Sequence, residues 1–178
     1  MSRMEAQTVR PPSQTSPASS KSIFKRILVA VDGSENSVRA SQAALELAEK
    51  LKADLIVLHA IIPPALYYHT EISSEGPVIE PPTHEKEIDV YLEYARRVAR
   101  GIVDKTVSEA KKRSINVKAD TPEATASVVE TIVNEAVNEN ADLIIVGTRG
   151  LGGFKKLLLG SVSNGVVSHA HCPVLVIR

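Results

Sequence analysis

Apolar residues along this chain fall into two alternating kinds of run, short continuous ones and longer ones that return at three- and four-residue spacing. Continuous runs at 27–31, 55–62, 115–119, 143–146 and 174–177 predict five strands, because a strand covered on both faces has no reason to alternate apolar with polar. Between the first two, Ala40, Ala44, Leu47, Ala48 and Leu51 mark one face of a helix. A longer helix over about 84–113 shows a stripe through Tyr91, Ala95, Ala99, Val103, Thr106 and Ala110. Its acidic start (Glu85, Glu87) and basic end (Lys111, Lys112, Arg113) suit the helix dipole. Ser127 and Glu130 form a capping box that opens a third helix, with Val129, Ile132, Val133, Ala136 and Val137 on one face. A fourth is expected over 162–170, stopped by Pro173. Strand and helix therefore alternate throughout. The predicted class is α/β: one open, mainly parallel five-stranded sheet with helices on both faces and right-handed crossovers. Pro122, just after the third strand, puts that strand at a sheet edge.

Two stretches fit no element. Residues 1–21 are dominated by Ser, Thr, Pro, Gln and charge, a composition too polar to offset ordering, so a mobile tail is expected before a single domain over 22–178. The connection over 63–83 holds Pro63-Pro64, Tyr67-Tyr68, Gly76-Pro77 and Pro81-Pro82. It reads as a lid, a dimer contact or a tolerated insertion, long surface loops costing little extra closure entropy.

Composition narrows the function classes. A chain of 178 residues, 43% apolar and formally neutral, can bury a full core but offers nucleic acid no broad basic footprint, and six aromatic residues leave little for base stacking. No apolar run reaches the length of a membrane span, and the first twenty residues lack the apolar segment of a secretory signal, so a cytoplasmic protein is expected. Cys172, the single cysteine, cannot form an internal disulfide.

Candidate chemistry gathers at residues 142–163, DLIIVGTRGLGGFKKLLLGSVS, where an apolar strand breaks into glycines and a basic loop that leads to serines at a helix start. Gly147, Gly150, Gly152, Gly153 and Gly160 allow close backbone approach, while a helix amino terminus with Ser161 and Ser163 attracts phosphate, helped by Arg149, Lys155 and Lys156. This is not a Walker A loop, since the Gly-Lys-Ser/Thr ending is missing. Asp32, in the turn Asp32-Gly33-Ser34 at the end of the first strand, serves turn and cap chemistry at least. His59 reads as a satisfied strand histidine. His169, His171 and Cys172 lie close in sequence, but their spacing fits no zinc motif, and cap and packing roles are preferred.

The ladder of Gly147, two residues, Gly150, nine residues and Gly160-Ser161, together with the opening RILVAVDGSENS, resembles the ATP-binding branch of the universal stress protein family, over 24–178. The resemblance implies strand order 3-2-1-4-5, which places the first and fourth strands side by side at the switch point where ligands collect in open sheets. It implies Ala30, Asp32, Ala60 and Val146 around the nucleoside, and Gly147, Arg149, Gly150, Gly160, Ser161, Val162 and Ser163 around the phosphates, with Val31 and Thr148 completing the set. The implied ligand is ATP with Mg²⁺ carried on the nucleotide, or else AMP or cAMP. Also implied are at most slow hydrolysis, no dedicated catalytic residue, a stress-response role, and a homodimer paired through the last strand, Val174 to Ile177. A nucleotide-independent interaction module and a nucleotide-hydrolysing or transferring enzyme of the same fold stay open.

Overall fold

A computed structural model of the chain describes residues 22–66, 85–150 and 159–178. Expectations for the tail 1–21, for Tyr67, Tyr68 and most of the connection after strand two, and for Gly152, Gly153, Lys155 and Lys156 lie outside the described residues. The strands are β1 (Arg26–Ala30), β2 (Asp54–Leu58), β3 (Val117–Asp120), β4 (Leu143–Gly147) and β5 (Val174–Ile177). All four neighbour pairs are parallel, in the order β3-β2-β1-β4-β5. The helices are α1 (Glu35–Leu51), α2 (Glu85–Lys112), α3 (Val128–Asn138) and α4 (Ser161–His169).

Successive side chains of each central strand enter opposite faces, which is why the apolar runs are continuous. Ile27, Val29 and Ile145 pack with Ala40, Ala44 and Ala48 of α1 and with Val103 and Ala110 of α2. Leu28, Ile56 and Ile144 pack on the other face with Ile132 and Ala136 of α3 and Val166 of α4. Each fully buried side chain of this size contributes about 1.5–3 kcal/mol. α3 and α4 cross so closely that a Cβ on Gly165 would lie 2.6 Å from Val129 Cγ2.

Capping explains the helix starts. Ser34 Oγ accepts the Ser37 amide at 3.2 Å, and Ser127 Oγ accepts the Glu130 amide at 3.0 Å, as the capping box predicts.

Four expectations need correction. β2 stops at Leu58 although the apolar run continues to residue 62, because the chain there peels away from β1 and follows its other neighbour. Ile61 keeps only an isolated bridge to Glu123, donating to the Pro122 carbonyl at 2.8 Å. β3 begins at Val117 rather than at 115, because the Ile115 amide is held by Ala110 O at 3.0 Å and Ser114 turns left-handed (φ 56°) to end α2. Val137, placed on one helix face with Val129, Ile132, Val133 and Ala136, is 51% exposed while Ile132 and Ala136 are buried. Finally, α2 buries residues only from Ala99 onward. Its 28 residues make a rod of about 42 Å against strands of about 17 Å, so its amino-terminal half overhangs the sheet.

Candidate functional site

The helices that follow the two central strands leave in opposite directions, α1 after β1 onto one face and α4 after β4 onto the other. In open sheets wound this way the ligand crevice lies between two such helices, which here means the carboxyl ends of β1 and β4, the switch point of the winding. Both walls are tied together by named bonds. Asp32 Oδ1 accepts the Ser34 amide at 3.0 Å, and Asp32 Oδ2 lies where a side chain on Gly150 would begin, so a larger residue there would have to displace the carboxylate. Ser34 Oγ and Asn36 Nδ2 both donate to the Arg149 carbonyl, at 3.4 and 3.3 Å.

The start of α4 is pinned to the end of β4 through one carbonyl. Thr148 O accepts from the Gly160 amide at 2.7 Å and from Ser163 Oγ at 2.9 Å, and Ser163 Oγ also lies 3.0 Å from Gly160 O. The hydroxyl of Ser163 is thus engaged inward, and the residue is buried. Ser161 and Val162 are exposed at the first turn, one position earlier than the predicted helix start. Gly160 caps without a side chain, and the first helical bond comes from the Asn164 amide to Gly160 O. The amides of residues 161–163 have no acceptor within the helix, as at any helix amino terminus, and the positive end of the helix dipole lies behind them.

Of the residues singled out in sequence, Ala30, Val31 and Asp32 line the β1 end, Ala60 stands just past β2, and Val146 to Gly150 end β4 beside Gly160 to Ser163. Ala30, Ala60 and Val146 share the α3/α4 face. Gly147 has a packing reason of its own: a Cβ there would lie 2.8 Å from the Asn36 carbonyl carbon. Ser34 and Asn36 were not singled out as site residues. Their sequence signal was the polar Ser-Glu-Asn segment after β1, inside the opening RILVAVDGSENS.

The histidines near the carboxyl end take cap and packing roles. His169 Nδ1 donates to Gly165 O at 2.8 Å, and His171 Nε2 to Ala141 O at 3.1 Å. Burial, and then the Asp142 carboxylate, push the Cys172 thiol up. Asp120, Glu135 and Glu139 bring their carboxylates within 4.8 Å of one another, yet Lys118 Nζ sits 2.5 Å from Glu139 and 3.6 Å from Asp120, already supplying a cation. That contact with Glu139 holds the Lys118 ammonium above its usual range.

A family model described as the universal stress protein family matches residues 23–178. The chain belongs to the universal stress protein family. Universal stress protein YxiE of Bacillus subtilis is 34% identical over 160 residues, covering 88% of this chain and all of its own length. A universal stress protein of Thermus aquaticus is 35% identical, again over 88% of this chain and its whole length. Among solved structures, UspA of Lactobacillus plantarum superposes with a TM-score of 0.65 at 24% identity over 87% of this chain and 98% of its own. A universal stress protein in complex with cAMP gives 0.58 at 23% identity over 88% and 98%. One from Archaeoglobus fulgidus in complex with dAMP gives 0.56 at 21% over 88% and 100%. These three structures share the universal stress protein fold with the chain. Among the described residues no helix is long and apolar enough to cross a membrane.

Proposed function

We propose that this universal stress protein binds an adenine nucleotide, ATP with Mg²⁺ in the leading reading and AMP or cAMP otherwise, and acts as a nucleotide-dependent stress-response module with at most slow hydrolysis. The observation that carries it is the convergence of two walls: Asp32 Oδ2 against Gly150 at one side, and the uncapped first turn of α4 at the other. Complexes of family members with cAMP and dAMP support the choice of adenine.

In this reading Ala30, Val31, Asp32, Ala60 and Val146 surround the nucleoside, the Asp32 carboxylate accepting from it. Gly147, Thr148, Arg149 and Gly150 carry the ligand toward Gly160, Ser161 and Val162, whose amides and hydroxyl meet the phosphates. Ser163, its proton engaged by Thr148 O, holds that turn in place and offers its amide. Mg²⁺ fits as a passenger on the phosphate oxygens, since such an ion keeps most of its waters and needs few protein ligands. It would neutralise phosphate charge beside the exposed Ser161 hydroxyl. The domain is proposed to be 22–178, located in the cytoplasm. β5, a half-buried apolar edge bonded only to β4 among the described strands, is proposed to pair with a second copy. Val176→Lys then yields monomer in sedimentation, and an unchanged dimer refutes that interface.

Calorimetric titration with ATP, AMP, cAMP and adenosine tests the reading. Ser161→Ala is expected to weaken ATP about tenfold to a hundredfold while sparing adenosine, the worth of one charge-assisted hydrogen bond. Gly160→Val, whose Cβ would press within 3.3 Å of Thr148 O, is expected to abolish ATP binding. Equal losses for ATP and adenosine remove Ser161 from the phosphates, and a wild-type protein silent to all four ligands refutes the proposal.

A further inference from the structure

In the parallel ladder between β1 and β2, alternate residues of β1 bond to β2 on both sides of themselves. Val31, the next in that series, donates its amide to Leu58 O at 2.8 Å. The regular continuation has the Ala60 amide donating back to Val31 O. That bond is not made: His59 Nδ1 lies 2.7 Å from Val31 O instead. A carbonyl only accepts, so the ring must carry its proton on Nδ1 and donate it. On the other edge the β2 chain continues in register, His59 N donating to Asp120 O at 3.0 Å and Ile61 N to Pro122 O at 2.8 Å. Successive amides point to opposite edges, so the Ala60 amide faces β1, where Val31 O takes the ring's proton and not the amide's.

We propose that His59 is a positioning residue: its ring replaces the last ladder bond between β1 and β2, parting the two strands at the crevice and leaving the Ala60 amide open to an acceptor nitrogen of the bound base. The ligand side of this inference rests on the nucleotide reading above. The strand side does not. Its chemistry predicts which substitution preserves it, since asparagine places Nδ2 at the same distance from the backbone as His59 Nδ1, whereas leucine keeps the bulk and loses the donor.

Three measurements decide it. Nitrogen-15 spectra of the ring in the ligand-free protein at pH 8 are expected to show Nδ1 protonated and Nε2 bare; the opposite tautomer overturns the proposal. Amide exchange at Ala60 is expected to be fast in the ligand-free wild type and in His59→Asn, and slowed in His59→Leu, where the ladder can close. Slow exchange in the wild type overturns it. Titration with AMP is expected to show His59→Asn close to wild type and His59→Leu weaker by roughly tenfold. Equal affinity in all three proteins, or equal loss in both variants, overturns the role in binding. If the wild type binds no AMP, the nucleotide reading and this binding role fall together, while the ring and exchange measurements still decide the strand parting.

Discussion

At the amino-terminal edge of the sheet, the Asp142 carboxylate accepts the Lys25 amide at 2.7 Å and the Arg26 amide at 3.1 Å. At the opposite edge, Asp32 accepts the Ser34 amide and holds its second oxygen against Gly150 in the crevice. The first carboxylate sits in a mesh that closes on itself: Arg26 Nη1 donates to Glu139 O at 2.8 Å and Arg26 also pairs with Asp54, which accepts from Asn116. Around the second, Ser34 Oγ and Asn36 Nδ2 donate to the Arg149 carbonyl, and the adjoining helix turn starts without a side-chain cap. Two similar side chains at two strand ends thus do different things. One fastens the starts of the strands, and the other joins the turn after β1 to the residues that follow β4.

Substitutions separate these roles. The largest effect is expected at Gly147, where a valine would drive its Cβ to 2.8 Å from the Asn36 backbone. Overpacking against backbone costs about 3 kcal/mol, read as a lower urea midpoint, and a wild-type midpoint would mean that the carboxyl edge has no packing constraint of its own. Asp142→Ala is expected to cost about 2 kcal/mol by the same measure, through loss of two charge-assisted bonds, with nucleotide affinity unchanged. Asp32→Ala reverses the pattern: about 1 kcal/mol of stability for the turn bond, but roughly tenfold weaker AMP in calorimetry. If the two alanine variants behave alike, the contrast between the edges is wrong.

Cys172, beside the amino-terminal edge, gives a smaller and subtler readout. Its raised thiol predicts an alkylation rate that climbs at higher pH than for a free cysteine, and Asp142→Asn brings the midpoint down only partway, because burial is the larger cause. The sign for stability follows. A folded value above the unfolded one leaves the contribution intact below about pH 8.5 and removes it as pH rises through the folded value. Last, Gly101 on α2 faces open space, with nothing within 4 Å of an added Cβ, so Gly101→Ala is expected to stabilise by about 0.5 kcal/mol and leave both edges untouched.

Most of the layout was legible in the sequence because it is written locally. Continuous apolar runs named five strands, the Ser127 and Glu130 cap was met at its predicted place, and Pro122 marked an edge strand. The order 3-2-1-4-5 came from family resemblance, and the pairings of the sheet agree with it. What escaped was nonlocal. Asp142 reaches residues 117 and 116 positions away, and His59 reaches Val31 across 28. No periodicity encodes such contacts, so β2 was read four residues too long through the place where His59 ends its pairing with β1. Gly147 shows the reverse limit. A glycine beside a ligand loop invites a ligand explanation, and only the position of Asn36 supplies the packing one.

The overhang of α2 makes that helix a cantilever. Its root, from Ala99 to Ala110, is clamped in the core, while the arm before it holds no fully buried residue and shows Val90, Tyr94 and Val98 at 69%, 58% and 41% exposure. The arm is tethered at its surface, Tyr91 OH donating to Ile62 O at 3.0 Å and Arg96 pairing with Glu123, but its turns can melt without opening the core, so amide exchange along α2 runs as a gradient, fastest at Glu85 and slowest near Val103. The sheet fixes where this helix is held and sets no limit on how far it extends.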